Sequence, residues 1–182
     1  MLLFATMLAL LAPIQAPSRP AQIILIRHAE KPLDEANPHL APAGVERAAR
    51  LVAVLTTDPA MTTFGMPVAV FATATTKNGD GVRTQETIAP LAKKLKLPVQ
   101  TPALGKDYAV LAAGILRKRA YAGKTVVICW NHEWLPELAA ALGVTPQPAP
   151  WKGSDFDRVF VITYSAGKAT LTETTEVLGP AK

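Results

Sequence analysis

Apolar and polar positions along this chain follow two rhythms in turn. Three short runs, 21–26, 67–73 and 124–130, are almost wholly apolar and rich in β-branched residues. Such runs fit strands covered on both faces of a sheet, where no side is left for polar groups. Over 42–55, 83–97, 108–121 and 134–142 the apolar residues instead recur at helical spacing. Pro42 stands where the first turn of a helix tolerates it, and Pro98 stops the second helix. The rhythm changes near the end, where 158–164 and 169–174 flank Ser165-Ala166-Gly167-Lys168, a hairpin signal. Strand–helix alternation closed by a hairpin predicts an α/β protein. Its form is a three-layer α/β/α sandwich with a mainly parallel central sheet and a C-terminal edge hairpin. Pro146-Gln147-Pro148-Ala149-Pro150 reads as a rigid connector inside that domain.

The N-terminus obeys neither rhythm. Residues 2–12 are nearly unbroken in apolarity, too short for a stable bilayer anchor and suited to the apolar core of a signal peptide. Residues 1–19 are therefore expected to be a leader and 20–182 the folded domain. With a signal peptide the protein is exported, periplasmic or extracellular, with no membrane contact once the leader is removed; with a merely disordered leader it is cytoplasmic.

Composition narrows the class. The chain has 182 residues, 49% of them apolar and 18% charged, enough for one core and too little charge for a disordered chain. A balance of 19 Lys+Arg against 14 Asp+Glu gives a net charge of +5, which favours anionic partners. The basic runs Lys93-Lys94-Leu95-Lys96 and Arg117-Lys118-Arg119 fall on expected helices, so they read as solvated faces, and a small phosphorylated substrate fits better than nucleic acid. The lone cysteine, Cys129, excludes a disulfide framework and a cysteine-based zinc site. Nothing in the sequence fixes the oligomeric state.

Ligand sites of α/β sheets form beyond the carboxyl ends of the strands. After the first expected strand come Arg27-His28-Ala29-Glu30-Lys31; after the second, Thr73-Ala74-Thr75-Thr76 and then Arg83; after the third, Asn131-His132-Glu133. A phosphomonoester dianion needs fixed cationic donors, and the arginine fork matches phosphate oxygens two at a time. A neutral histidine is a good nucleophile when its other ring nitrogen is held by an acceptor. A second histidine can donate to phosphoryl oxygens, and a carboxylic acid can protonate the leaving oxygen. Two arginines, two histidines and a glutamate supply the parts of a two-step phosphoryl transfer.

The same residues resemble a known family. Ile24-Leu25-Ile26-Arg27-His28-Ala29-Glu30 is similar to the opening Arg-His signature of the histidine phosphatase (phosphoglycerate-mutase-like) superfamily. Leu40-Ala41-Pro42-Ala43-Gly44-Val45-Glu46-Arg47-Ala48 resembles its Leu-Thr-Pro-x-Gly-x-x-Gln-Ala segment. Phe71-Ala72-Thr73 with Arg83-Thr84-Gln85-Glu86-Thr87 resembles its second-arginine motif, and Val127-Ile128-Cys129-Trp130-Asn131-His132 stands where its second histidine belongs. The resemblance implies a phosphatase with His28 as the phosphorylated nucleophile and Arg27, Arg83 and His132 completing the phosphate pocket. It implies no cofactor and no metal. Four departures stand out: Ala29 for the commoner glycine, Ala41 without a capping hydroxyl, a longer 77–82 loop, and Asn131-His132-Glu133-Trp134 in place of a small Ser-His-Gly turn.

Two acids compete for the proton donor. Glu133 follows the second histidine and can reach the leaving-group side; Glu30 lies two residues past His28, with pairing to Arg27 or Lys31 as its other use; Asp107 is a distant third. His39 reads as a loop residue, and Trp134 and Trp151 as packing. A metal site built on His28, His132 and the glutamates lacks a His-Glu-x-x-His spacing and would be repelled by the flanking arginines. Ser18, Ser154 and Ser165 sit in no Gly-x-Ser-x-Gly elbow, and no phosphate-binding glycine loop or dinucleotide fingerprint occurs. Two alternatives stay open: a phosphoglycerate-mutase-type phosphotransferase, and a non-catalytic phosphate-binding module.

Overall fold

The computed structural model describes residues 19–34 and 36–176, so the expected leader lies outside the described residues apart from Arg19. Six strands and five helices follow in order: β1 (Gln22–Arg27), α1 (Pro42–Thr57), α2 (Pro59–Thr62), β2 (Ala69–Phe71), α3 (Val82–Leu95), β3 (Val99–Gln100), α4 (Tyr108–Arg117), β4 (Thr125–Trp130), α5 (Leu135–Ala141), β5 (Arg158–Ser165) and β6 (Lys168–Thr175). They make one sheet of order β3-β2-β4-β1-β5-β6. Its first four strands run parallel, β5 runs antiparallel to β1, and β6 turns back antiparallel to β5.

The continuous apolar runs have the cause inferred for them. Every residue of β1 and of β4 is buried, because helices cover both faces. Side chains alternate between faces. Ile23 and Leu25 pack with Leu111, Ile115, Leu135 and Leu138 of α4 and α5. Ile24 and Ile26 pack with Leu51, Leu55, Ile88 and Leu91 of α1 and α3. Cys129 belongs to the second group and is fully buried, and burial drives its thiol pKa well up. The result is the three-layer sandwich. The hairpin closes through Ala166 and Gly167, both at positive φ (48° and 79°), as a tight two-residue turn between strands requires.

The differences lie at element ends. α3 stops at Leu95, not at Pro98, because Lys96 turns into the left-handed region (φ 56°) and Leu97 N then bonds back to Ala92 O. α4 ends at Arg117; Lys118 is extended, and a separate 3₁₀ turn, Arg119–Tyr121, keeps Tyr121 buried at a helix-like spacing. The short α2 and the two-residue β3 carry too few residues to show a period. Both basic runs are exposed. Among the described residues, no helix is long and apolar enough to cross a membrane.

Candidate active site

The ends of β1, β2 and β4 bring the expected residues to one edge of the sheet. Arg27 pairs in register with Trp130, so His28 and His132 leave neighbouring strands close together. Their ring centroids are 6.5 Å apart at 76°. His28 Nδ1 lies 2.7 Å from the Ala29 carbonyl oxygen. A carbonyl only accepts, so Nδ1 carries the proton and the lone pair belongs to Nε2. Burial pulls the His28 pKa down to about 4, helped by the charges of Arg27, Arg83 and His132 and opposed by the Ala29 bond. The ring is therefore neutral near pH 7. His132 is also pulled down, by burial first and then by Arg27, with Glu133 opposing.

The loop that carries His28 is fixed from three sides. Ala29 N donates to Thr87 Oγ1 of α3 at 2.9 Å, and Ala41 N donates to Glu30 O at 2.9 Å. A β-carbon on Gly44 would stand 2.5 Å from Glu30 O, so the glycine of the Pro-x-Gly segment lets α1 press against this loop. Ala41 caps α1 without a side-chain bond. The Ala29 side chain fills a small cluster with Leu40 and Ala48, which explains why alanine is tolerated after His28.

Arg83, near the start of α3, donates to Asn37 O at 3.0 Å. With His28 it lines a cavity of about 60 Å³, together with Thr84, Asp80, Gly81 and Asn131. Neither Arg27 nor His132 lines that cavity. Arg27 is buried, and its Nη1 donates to the carbonyls of Gly153 (2.7 Å) and Asp155 (3.3 Å). Its guanidinium carbon sits 3.8 Å from the Phe156 ring centre, and its buried Nε has no partner. Burial lowers its pKa to about 10. The 152–156 loop also meets the second histidine: a β-carbon on Gly153 would stand 3.3 Å from His132 Nε2. The sequence carries one signal for this loop, a lone aromatic, Phe156, among the polar residues that follow the proline-rich connector.

The two glutamates part company. Glu30 Oε1 accepts from Arg47 Nε at 2.8 Å, and Arg47 Nη1 reaches Glu176 at 2.7 Å. The expected pairing with Arg27 or Lys31 is replaced by this one because α1 brings Arg47 against the loop. Glu133 lies in the 3₁₀ turn His132–Trp134 and borders a second cavity, of about 400 Å³. Trp134 lines that cavity and stacks on Tyr108, whereas Trp151 is buried against Phe160. His39 pairs with Glu86 at 2.5 Å and lines neither of these two cavities. Asp107 lines neither as well. Among the described residues, no group of three or more His, Cys, Asp or Glu could hold a metal ion.

No family model and no curated protein matches the sequence. Solved structures do match the fold. A candidate alpha-ribazole-5′-P phosphatase from Escherichia coli superposes with a TM-score of 0.58 at 14% identity, over 90% of this chain and 100% of the other. The alpha-ribazole phosphatase from Shigella flexneri gives 0.58 at 15% identity, over 88% and 100%. A candidate phosphohistidine phosphatase, SixA, from Agrobacterium tumefaciens gives 0.51 at 16% identity, over 86% and 99%.

Proposed function

We propose that this chain, which has the fold of the histidine phosphatases, hydrolyses phosphate monoesters through a phosphohistidine at His28. One observation carries the reading: the 2.7 Å bond from Nδ1 to the Ala29 carbonyl leaves the Nε2 lone pair on a ring that borders the small cavity beside Arg83. That is the tautomer a histidine nucleophile needs. The names of the neighbouring structures, all phosphatases, agree with it.

In the first step Nε2 attacks phosphorus and the bond from phosphorus to the ester oxygen breaks. Glu133, on the wall of the adjoining cavity, gives its proton to that oxygen, so a neutral alcohol leaves. In the second step water attacks the phosphohistidine and gives a proton to the Glu133 carboxylate. The N–P bond breaks, and phosphate and the free ring are restored. Arg83 offsets the phosphoryl charge throughout, Arg27 adds positive potential beside His28, and the His132 ring offers an N–H to the phosphoryl oxygens. The cationic residues do the work a metal would otherwise do, so the reaction is metal-independent.

Acid-quenched protein incubated with labelled substrate should hold an acid-labile, base-stable phosphate, and His28→Ala should lose the label and about 10⁴-fold or more of the rate. EDTA should leave activity intact. Isomerisation of phosphoglycerate without phosphate release would replace hydrolysis with a mutase. Phosphate binding without turnover on a broad ester panel would mean a binding module.

A further inference from the structure

The small cavity at His28 and the larger one beside it share Asp80, Gly81 and Asn131. An alcohol esterified to phosphate in the first therefore has the second as its room. At about 400 Å³ the second cavity falls within the usual span of small-molecule sites, about 300–1,000 Å³, and methyl or ethyl groups would leave most of it empty.

Where the small cavity sets one carboxylate, Asp80, against Arg83, the lining of the larger one carries one carboxylate more. Among the described residues, Asp80 and Glu133 stand against a single cation, Lys106, with Asn131 in the same lining and Leu104 and Trp134 as apolar wall. Asp80 is held in place: its Oδ2 accepts from Thr76 Oγ1 at 3.1 Å, and Thr76 N donates to Asp80 O at 2.9 Å. Trp134 is braced by Tyr108, with ring centres 5.8 Å apart. Gly105 keeps the space open, since a β-carbon there would come within 3.0 Å of Asn131 Oδ1 and 3.3 Å of Trp134 Cδ1.

Carboxylates accept hydrogen bonds from hydroxyl groups, and the Asn131 amide both donates and accepts. A second phosphate in this space would meet two carboxylates and one lysine. Even with Glu133 protonated, Asp80 and Lys106 leave no net positive charge for it. We infer that the larger cavity selects an uncharged, hydroxyl-bearing alcohol of sugar or nucleoside size carrying a single phosphate, and disfavours substrates with a second anionic group. This rests on the reading of the small cavity as the phosphate site.

The test compares matched pairs: fructose 6-phosphate with fructose 1,6-bisphosphate, and adenosine 5′-monophosphate with adenosine 3′,5′-bisphosphate. Both kcat/KM on the active protein and calorimetric Kd on the His28→Ala variant are measured. The monophosphates should be favoured by about tenfold to a hundredfold. Asp80→Lys should shrink that ratio at least severalfold. Asp80→Asn, which changes charge but not shape, covers the case where lysine disturbs the 76–80 turn. Equal or tighter binding of the bisphosphates, or a ratio unmoved by both variants, overturns the inference. Labelling with p-nitrophenyl phosphate separates the two claims. No label and no turnover, with the monophosphate preference intact in Kd, would sink the enzymatic reading and leave the cavity inference standing.

Discussion

Glu30 and Glu133 each follow a histidine, yet they live in different surroundings. Glu30 is closed into an ion cluster, with one oxygen on Arg47 and the other buried without a partner. Glu176, the third member, has a side chain 1% exposed. Burial raises the Glu176 pKa to about 7 despite its bond to Arg47. Glu133 is exposed and borders a cavity that shares Asp80, Gly81 and Asn131 with that of His28. Nearness to a histidine in sequence is thus no measure of readiness to move a proton. A carboxyl bound to a guanidinium is engaged in holding a loop; one on a cavity wall is available to a ligand.

The largest expected effect tests this contrast directly. Glu133→Gln should slow alkyl phosphates by roughly 10²–10⁴-fold and activated aryl phosphates far less, because the latter leave without a proton. A loss of that size and selectivity in Glu30→Gln instead would reverse the comparison. Next comes Arg47→Leu, which strips Glu176 of its cation and should cost about 3–5 kcal/mol of stability, read in urea unfolding. Glu30→Gln should cost only about 1 kcal/mol, with kcat changed by a few fold, since its side chain is 27% exposed and Arg47 keeps Glu176. The smallest effect concerns pH. His28 has a folded pKa of about 4 against an ordinary 6.5, so the folded protein binds fewer protons there between those values. Its contribution to stability is full above 6.5 and is lost as pH falls toward 4. His28→Ala should therefore gain on the wild type in melting temperature as pH drops through that window; a constant difference would mean that His28 is not depressed.

The sheet and its covering helices were legible because burial on both faces writes itself as unbroken apolar runs, as in Ile23-Ile24-Leu25-Ile26 and Val126-Val127-Ile128-Cys129. The placing of His28, Arg83 and His132 at one edge followed from strand order alone. Side-chain commitments did not. That Arg47 and not Arg27 holds Glu30 depends on how closely α1 approaches, which Gly44 permits but no spacing announces. The carbonyls around Arg27 come from a loop more than a hundred residues away, as do the Phe156 contacts to Arg27 and His28. In sequence the 77–82 loop is only a longer path to Arg83; that it sets Asp80 on the wall of two cavities emerges only in three dimensions.

The position of β1 has a consequence for the order of assembly. It is the first described strand to leave the ribosome, yet its neighbours are β4 and β5, made late in the chain. The Arg27 bond to Gly153 spans 126 residues. During synthesis the strand that leads into the nucleophile thus waits, apolar on both faces, until most of the domain exists. Contacts of such long range make folding slow, and the waiting strand is open to chaperones and to aggregation. Phosphate binding competence should then arise in one late event, so nascent chains stalled before residue 150 should bind no phosphate and full-length chains should acquire binding together with the β5–β6 hairpin.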